Sequence, residues 1–266
     1  MKKLNLAISF ALLIICLTTS ARIQTDDVIT MKRVYTAGDK DRYLIEMKTL
    51  QTVAEGTKKT NYIVKLLMVL REVTKEVKPN GNVVITGSFE KANVKLQDKG
   101  TDQEQDLMSF APSWTETRDK NSKVLESKIA GADNVLAQQL ANGISEIVAI
   151  QVRFYSPKPV KIGDEWKIEP GEMKDKEDKF SGSAKLTGKE KIHDIETYKI
   201  TVASDKETTQ PEKVKAHFEG KGNIDIKDGK IVKMTGKVKY EGGTIKSSEF
   251  TLSRLIGDEE PKMDGK

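Results

Sequence analysis

Residues 214–240, VKAHFEGKGNIDIKDGKIVKMTGKVKY, alternate apolar or small residues with polar ones on both sides of a turn at 227–229. Because successive side chains of a β-strand point to opposite faces, this pattern predicts a hairpin with one apolar and one polar face. Glycine recurs on the apolar face, where it favours a sharp bend or the close approach of another group. The stretch therefore predicts a strongly curved antiparallel sheet.

The apolar face continues into the neighbouring predicted strands. Its members at alternate positions are Gly182, Ala184, Leu186, Gly188, Ile200, Val202, Phe218, Gly220, Gly222, Ile224, Ile226, Val232, Met234, Gly236 and Val238. Two explanations of the glycines remain open, which are core packing with glycine kinks and a cavity for an apolar ligand. The C-terminal part of the chain is thus predicted to be an antiparallel meander.

The first half of the chain predicts further strands. Residues 61–77 and 83–96 form a long predicted hairpin around a turn at 80–81, and a break in the alternation at 90–91 predicts a bulge. Residues 97–120 are polar and irregular, and they predict no regular element.

Between residues 132 and 150, apolar residues recur at intervals of three to four, which predicts one main amphipathic helix with Asp133 as its N-cap. We expect this helix to pack on the concave face of the sheet. A ligand held between helix and sheet would contact apolar side chains of both. The predicted apolar binding residues are Leu140, Ile144, Phe218 and Met234.

Two similar segments, residues 34–39 (VYTAGD) and 160–164 (VKIGD), each precede a strand that bears an aromatic residue. Glycine allows positive φ and aspartate can cap the turn, so both pairs are interpreted as structural and not catalytic. Trp166 is expected to anchor the second half, with its indole N–H hydrogen-bonded. The segments suggest two related halves that meet near residue 156. The predicted structural residues are Gly38, Asp39, Pro159, Gly163, Asp164 and Trp166.

PKPVKIGDEW, residues 157–166, resembles the mid-chain signature P-x-K-P-V-K-x-G-D-x-W of a family of exported bacterial domains of unknown function. With Gly38 to Tyr43 and the hairpin turn at 80–81, the resemblance covers about Val34 to Leu255. The family has no assigned catalytic residues, so the resemblance implies none here. A curved antiparallel sheet with a helix on its concave face is also similar to the half-barrels of periplasmic lipoprotein and lipid carriers, although fold does not fix function.

The first 21 residues are typical of a signal peptide, with Lys2 and Lys3, an apolar core over 4–17 and small residues before a cleavage point after Ala21. We therefore expect an exported protein, periplasmic or extracellular, with an uncleaved N-terminal anchor as the alternative. Cys16 is the only cysteine. It follows the bulky Ile15, which argues against a lipid-modified N-terminus.

The predicted organisation is a signal peptide (1–21), an N-terminal β-rich half (22–155), a C-terminal antiparallel half in the same or a closely packed domain (156–257) and a disordered charged tail (258–266).

The composition argues against several classes of function. The chain has 45 Lys and Arg against 40 Asp and Glu, only 6% aromatic residues and no clustered basic patch, so nucleic-acid binding is not predicted. Two histidines without ligand spacing predict no metal site, and no cofactor motif or catalytic motif occurs. We expect a non-enzymatic protein of the envelope or secreted space. It either binds a lipid or other apolar ligand on the curved sheet, or serves as a structural or interaction protein with a solid core and an envelope protein as its partner.

Overall fold

The computed structural model describes residues 28–55, 58–98, 101–120, 122–169, 179–208 and 213–257. The predicted signal peptide and the predicted tail lie outside these residues. The described chain is mainly β, with twelve strands and one long helix.

The strands are β1 (Lys40–Glu55), β2 (Lys58–Val77), β3 (Val83–Asp98), β4 (Thr101–Asp106), β5 (Ser113–Arg118), β6 (Val124–Ala130), β7 (Glu165–Lys167), β8 (Lys179–Ile192), β9 (Ile195–Thr208), β10 (Val214–Asp225), β11 (Ile231–Glu241) and β12 (Ile245–Leu255). The helix α1 spans Val135–Val152, and a 3-10 turn spans Met108–Phe110.

All twelve strands belong to one antiparallel sheet, in the order β6-β5-β3-β2-β1-β12-β11-β10-β9-β8-β7, with β4 paired to β3. The first and last strands, β1 and β12, are neighbours, so one sheet runs through both predicted halves. The edge strands β6 and β7 precede and follow α1 in the chain, so the sheet is open and α1 connects its two edges. The predicted class, an antiparallel β fold with one main helix, is confirmed. The relationship of the two halves stays a prediction.

One face of the sheet, here called the inner face, carries the apolar core. A row of residues paired across eight strands shows this continuity: Ala92, Met68, Ile45, Leu252, Met234, Gly222, Ile200 and Leu186. Every side chain in this row is at most 2% exposed. The alternation predicted for the hairpin at 214–240 therefore describes the inner face correctly.

Aromatic rings of the chain itself approach three of the inner-face glycines, Gly220, Gly222 and Gly236. A Cβ added at Gly222 would lie 2.4 Å from Cδ1 of Phe154, and one at Gly236 would lie within 2.6 Å of the rings of Phe218 and Phe250. The rings of Phe218 and Phe250 stack at a centroid distance of 6.2 Å. Of the two explanations for these glycines, core packing agrees with the structure, because rings of the chain fill the space beside them.

The bulge in β3 and the two Gly-Asp turns occur where the sequence predicts them. Lys91 pairs with Val69 and Phe89 with Leu70, which leaves Glu90 as the extra residue of the predicted bulge. Gly38 and Gly163 have φ of +91° and +101°. The Asp164 carboxylate accepts a hydrogen bond of 2.8 Å from the Lys161 amide, which closes the second Gly-Asp turn.

The prediction that residues 97–120 lack regular structure is wrong, because β4 and β5 lie there. The β4 sequence TDQEQD has no apolar side chain, so alternation could not reveal it. In β5 the buried positions are Trp114, Glu116 and Arg118. The inner-face positions of β5 thus include the buried ion pair of Glu116 with Arg118. A strand recognised by apolar alternation would have apolar side chains there.

The helix begins three residues later and ends two residues later than the predicted range 132–150. Its N-cap is Asn134 and not Asp133, because the Asn134 side chain accepts a hydrogen bond of 2.9 Å from the Ala137 amide. Leu140 and Ile147 reach the apolar core, whereas Val135 is 70% exposed. The amphipathic pattern thus orients α1 with one stripe on the inner face.

We predict that Gly222→Ala destabilises the protein by about 1–3 kcal/mol, because the new methyl group overlaps the Phe154 ring. Urea unfolding monitored by circular dichroism measures the change. Gly143→Ala is the control, since nothing lies within 4 Å of that position in α1 and a gain of about 0.5–1 kcal/mol is expected. Phe154→Leu should partly rescue Gly222→Ala. A neutral Gly222→Ala would contradict the packing of Phe154 on this glycine.

Candidate functional site

The first candidate region lies between α1 and the inner face. The predicted binding residues Leu140, Phe218 and Met234 all belong to the same buried apolar cluster. Phe218 and Met234 come from β10 and β11, and Leu140 comes from the first half of α1. The Ile144 side chain lies outside the described residues. The structure thus brings three of the four predicted residues into one core.

Phe154, two residues after α1, is the central contact that the sequence prediction missed. It is fully buried and its ring lies on the Gly222 backbone. The preceding Arg153 reaches Ser204 Oγ at 3.4 Å and lies 5.1 Å above the Phe180 ring. The end of α1 is therefore held over β8, β9 and β10 by side chains. Two features of the sequence could have indicated this contact. They are a glycine on the apolar face of a strand and an aromatic residue directly after the helix.

Apolar side chains are exposed where α1 connects the two sheet edges. Ile129 of the edge strand β6 pairs with Trp114 and so shares its inner-face side, yet it is 43% exposed. Leu125 of β6 and Val135 at the start of α1 are exposed as well, and so is Ile162 just before β7. These four residues are here called the apolar rim. Exposed apolar side chains at the edges of a sheet can contact another molecule.

Two buried indoles lie near the two edges of the sheet. Trp114 on β5 and Trp166 on β7 are 5% and 9% exposed. Within the part of the chain that the structure describes, neither indole N–H has a hydrogen-bond acceptor. The expectation that the Trp166 N–H is hydrogen-bonded stays a prediction. A buried donor without a partner is costly, and an oxygen acceptor supplied from outside would satisfy it.

The second candidate region is a buried group of charges at one end of the inner face, here called the charge cluster. Its members are Arg33, Asp41, Glu72, Glu116, Arg118 and Lys230, each at most 7% exposed. They come from the segment before β1, from β1, β2 and β5, and from the turn before β11. Three positive and three negative groups make the cluster formally neutral.

Glu72 lies at the centre of the charge cluster, because each of its carboxylate oxygens accepts a hydrogen bond from a different arginine. Arg118 Nη2 donates to Oε1 at 2.8 Å, and Arg33 Nη2 donates to Oε2 at 3.1 Å. Burial alone would raise the pKa of Glu72, but the two arginines lower it to about 2. Glu72 is therefore a stable carboxylate, unsuited to proton transfer near neutral pH.

The remaining charges of the cluster are also paired. Lys230 Nζ lies 3.0 Å from the Asp41 carboxylate and 3.2 Å from that of Asp39. Arg254 lies 3.0 Å from Asp228 and 3.5 Å from Asp41. Asp39, predicted to serve only a turn, therefore also binds the second half of the chain. Burial raises the pKa of Tyr43 beside this group, so its phenol stays protonated. This arrangement is that of a structural ion network.

The histidines lie apart from both regions. His193 is in the β8–β9 turn with φ of +51°, and His217 on the outer face contacts Asp205 at 2.7 Å. No group of three metal-ligating side chains occurs in the described ranges. No helix among the described residues is long and apolar enough to cross a membrane.

No protein-family model and no curated protein matches the chain. Among solved structures it is similar to DynF from the dynemicin biosynthesis pathway of Micromonospora chersina, with a TM-score of 0.24, 6% identity and coverage of 90% of this chain and 95% of DynF. It is also similar to a LolA superfamily protein from Nitrosomonas europaea, with a TM-score of 0.14, 11% identity and coverage of 85% and 90%. At these TM-scores neither similarity carries an argument about function. The family resemblance of residues 157–166 stays a prediction.

We predict that Glu72→Gln lowers the free energy of unfolding at pH 7 by about 3–5 kcal/mol, because Arg33 and Arg118 lose a buried countercharge. Urea unfolding measures this loss. Glu249→Gln is the control, since the pair of Glu249 with Lys237 is exposed to solvent and its loss should change the stability far less.

The lowered pKa of Glu72 predicts that the free energy of unfolding depends on pH. The folded pKa of Glu72 is lowered from 4.5 to about 2, so its contribution is complete above pH 4.5 and is lost as the pH falls towards 2. The loss amounts to about 3 kcal/mol in the wild type. The difference in stability between wild type and Glu72→Gln should shrink over this pH range. A difference that stays constant down to pH 2 would contradict the charged bridge.

Proposed function

We propose that this chain is an exported, non-enzymatic binding protein that takes up an apolar ligand, such as an acyl chain, between the inner face and α1. The observation that carries the proposal is that part of the apolar core comes from an element outside the sheet. Leu140, Ile147 and Phe154 come from α1 and the two residues that follow it, and side chains attach this element to the sheet. Displacing α1 would uncover an apolar slot over Gly222.

Apolar residues would line this slot. Phe154 fills the space over Gly222, whose neighbours in the same row are Met234 and Ile200. Exposing Phe154, Leu140 and Ile147 costs about 1.5–3 kcal/mol for each side chain. An acyl chain gains about 0.8 kcal/mol for each CH₂ it buries, so roughly ten methylenes offset that cost. A long-chain ligand can therefore compete with the helix.

The sheet edges add two features that suit such a ligand. The apolar rim offers a first contact for a chain approaching beside α1. The indole N–H groups of Trp114 and Trp166 could donate to ester or carboxylate oxygens of the same ligand. The paired and neutral charge cluster supports a role without catalysis, because its acids all have basic partners.

A second candidate function is interaction with another envelope protein. It is supported by the rings that already fill the glycine positions and by β6, whose outer edge pairs with no strand in the described ranges. A strand edge with exposed Leu125 and Ile129 is a surface on which a partner can dock. In this case the interior stays closed.

The decisive experiment is native mass spectrometry of residues 22–266, purified from the native cell envelope without detergent. We expect a reproducible added mass that denaturation releases as a lipid. In parallel, palmitate should accelerate hydrogen exchange in α1 and slow it in β10 and β11. A bare chain mass together with unchanged exchange would reject the ligand function and favour the protein partner.

A variant of the helix element tests the mechanism. Phe154→Ala should bind a fluorescent fatty acid about tenfold more tightly than wild type, since the ligand no longer displaces a buried ring. Asn142→Ala is the matched control on α1, because Asn142 is exposed and lies outside the apolar rim, so the affinity should stay unchanged. Equal affinities for Phe154→Ala and wild type would contradict displacement of this ring.

A further inference from the structure

A groove of about 400 Å³ lies across β2, β3 and β5, away from the region beneath α1. Its lining consists of Arg71, Val73, Lys75, Thr86, Gly87, Ser88, Ser113, Trp114 and Thr115. Most of these alternate along their strands with inner-face residues such as Glu72, Phe89 and Glu116. The groove therefore opens on the outer face of the sheet, and Trp114 is the one lining residue that it shares with the proposed apolar site.

The strand register arranges the groove side chains in rows. Arg71 is directly opposite Ser88, and Val73 is opposite Thr86, which in turn is opposite Thr115. Opposed side chains on one face lie about 5 Å apart, so a ligand that lies across the strands can touch several at once. The groove is thus a continuous surface built by three strands.

A bulge directs a second cation into this groove. Thr74 pairs with Ile85 and Glu76 pairs with Val84, so Lys75 is the extra residue of the bulge. Bulges re-aim side chains and interrupt the ladder locally. Lys75 and Arg71 are four residues apart on β2, which corresponds to about 13 Å along a strand. The groove therefore has a positive charge near each end.

These two cations remain available to an anion. Lys75 is exposed and has no ion pair among the described residues. Arg71 Nη1 lies 4.0 Å from Glu90, but Glu90 lies much closer to Arg42 Nε, at 2.7 Å. The carboxylate near Arg71 is thus already engaged by a second arginine. An incoming anion would meet positive charge at both ends of the groove.

Hydroxyl groups lie beside the cations, on the neighbouring strands β3 and β5. Thr86, Ser88, Ser113 and Thr115 line the groove, and the last three are exposed. Each hydroxyl can donate one hydrogen bond and accept others, which suits the hydroxyls of a sugar ring. Trp114 is buried, so the groove lacks the exposed aromatic surface on which nucleic-acid bases stack.

We propose that this outer groove binds an acidic polysaccharide. Arg71 and Lys75 hold carboxylate groups on separate, non-adjacent sugar residues, and the four hydroxyls on β3 and β5 hydrogen-bond the sugar hydroxyls beside them. An extended ligand with repeated negative charges uses both cations and the polar surface next to them. A single phosphate group would use only part of it.

Isothermal titration of the mature protein with a polyuronate oligosaccharide tests the proposal, with a neutral glucan oligosaccharide of equal length as the ligand control. We expect binding of the polyuronate alone. The double variant Arg71→Gln, Lys75→Gln should weaken binding at least about tenfold, because two charge-assisted contacts are lost. Lys215→Gln, Lys239→Gln removes the same charge from exposed positions on β10 and β11, and it should leave the affinity unchanged.

A second variant separates sugar recognition from general attraction of anions. Thr86→Val, Thr115→Val keeps the charge and the side-chain shape, and it should weaken polyuronate binding several-fold. The proposal is overturned if the Lys215→Gln, Lys239→Gln variant loses as much polyuronate affinity as the Arg71→Gln, Lys75→Gln variant, because equal losses would show unspecific attraction of anions. Absence of polyuronate binding would overturn it as well. Binding of inorganic phosphate or of phosphatidylglycerol vesicles with equal affinity would also overturn it, since each lacks the uronate chain.

Discussion

The antiparallel pairing of β1 with β12 is the constraint on which the rest of the structure depends. It joins the start of the described sheet to its end over the register from Arg42 opposite Leu255 to Gln51 opposite Ile245. Without it, two separate meanders would each expose an apolar face. The charge cluster lies at one end of this junction, where Asp41 of β1 contacts Arg33, Lys230 and Arg254. Removing one partner from such a buried network is costly, so the cluster ties the two halves together.

Joining the halves in the middle leaves the edges of the sheet at β6 and β7, which are the strands that flank α1 in the chain. A closed barrel would have paired these edges by backbone hydrogen bonds. Here the apolar side chains of α1 and Phe154 cover the inner face instead. Side-chain contacts can be exchanged for contacts with a ligand of similar polarity, whereas a strand ladder cannot. The open topology thus places the weakest part of the core beneath the helix.

The sequence predicted what depends on local periodicity and turn chemistry. The hairpins, the bulge at Glu90 and the orientation of residues 214–240 follow from alternation, glycine and turn residues. β4 and β5 escaped prediction because β4 is wholly polar and β5 buries Glu116 and Arg118. The charge cluster and the packing of the Phe154 ring on Gly222 were not predicted from the sequence either. Both depend on residues far apart in the chain that only the strand order brings together.

The inner-face glycines show why a packed interior and a binding interior need not exclude each other. The rings that pack on Gly236 belong to Phe218 and Phe250, which are residues of the sheet strands β10 and β12. At Gly222 the filling ring belongs to Phe154, on a segment outside the sheet. Interiors are close-packed, so each glycine needs a partner group of matching shape. Where that partner is part of a separate element, the same shape fits an apolar ligand once the element moves. Under the proposed function, the difference between these two glycines places the ligand at the end of α1, where the ring over Gly222 comes from outside the sheet.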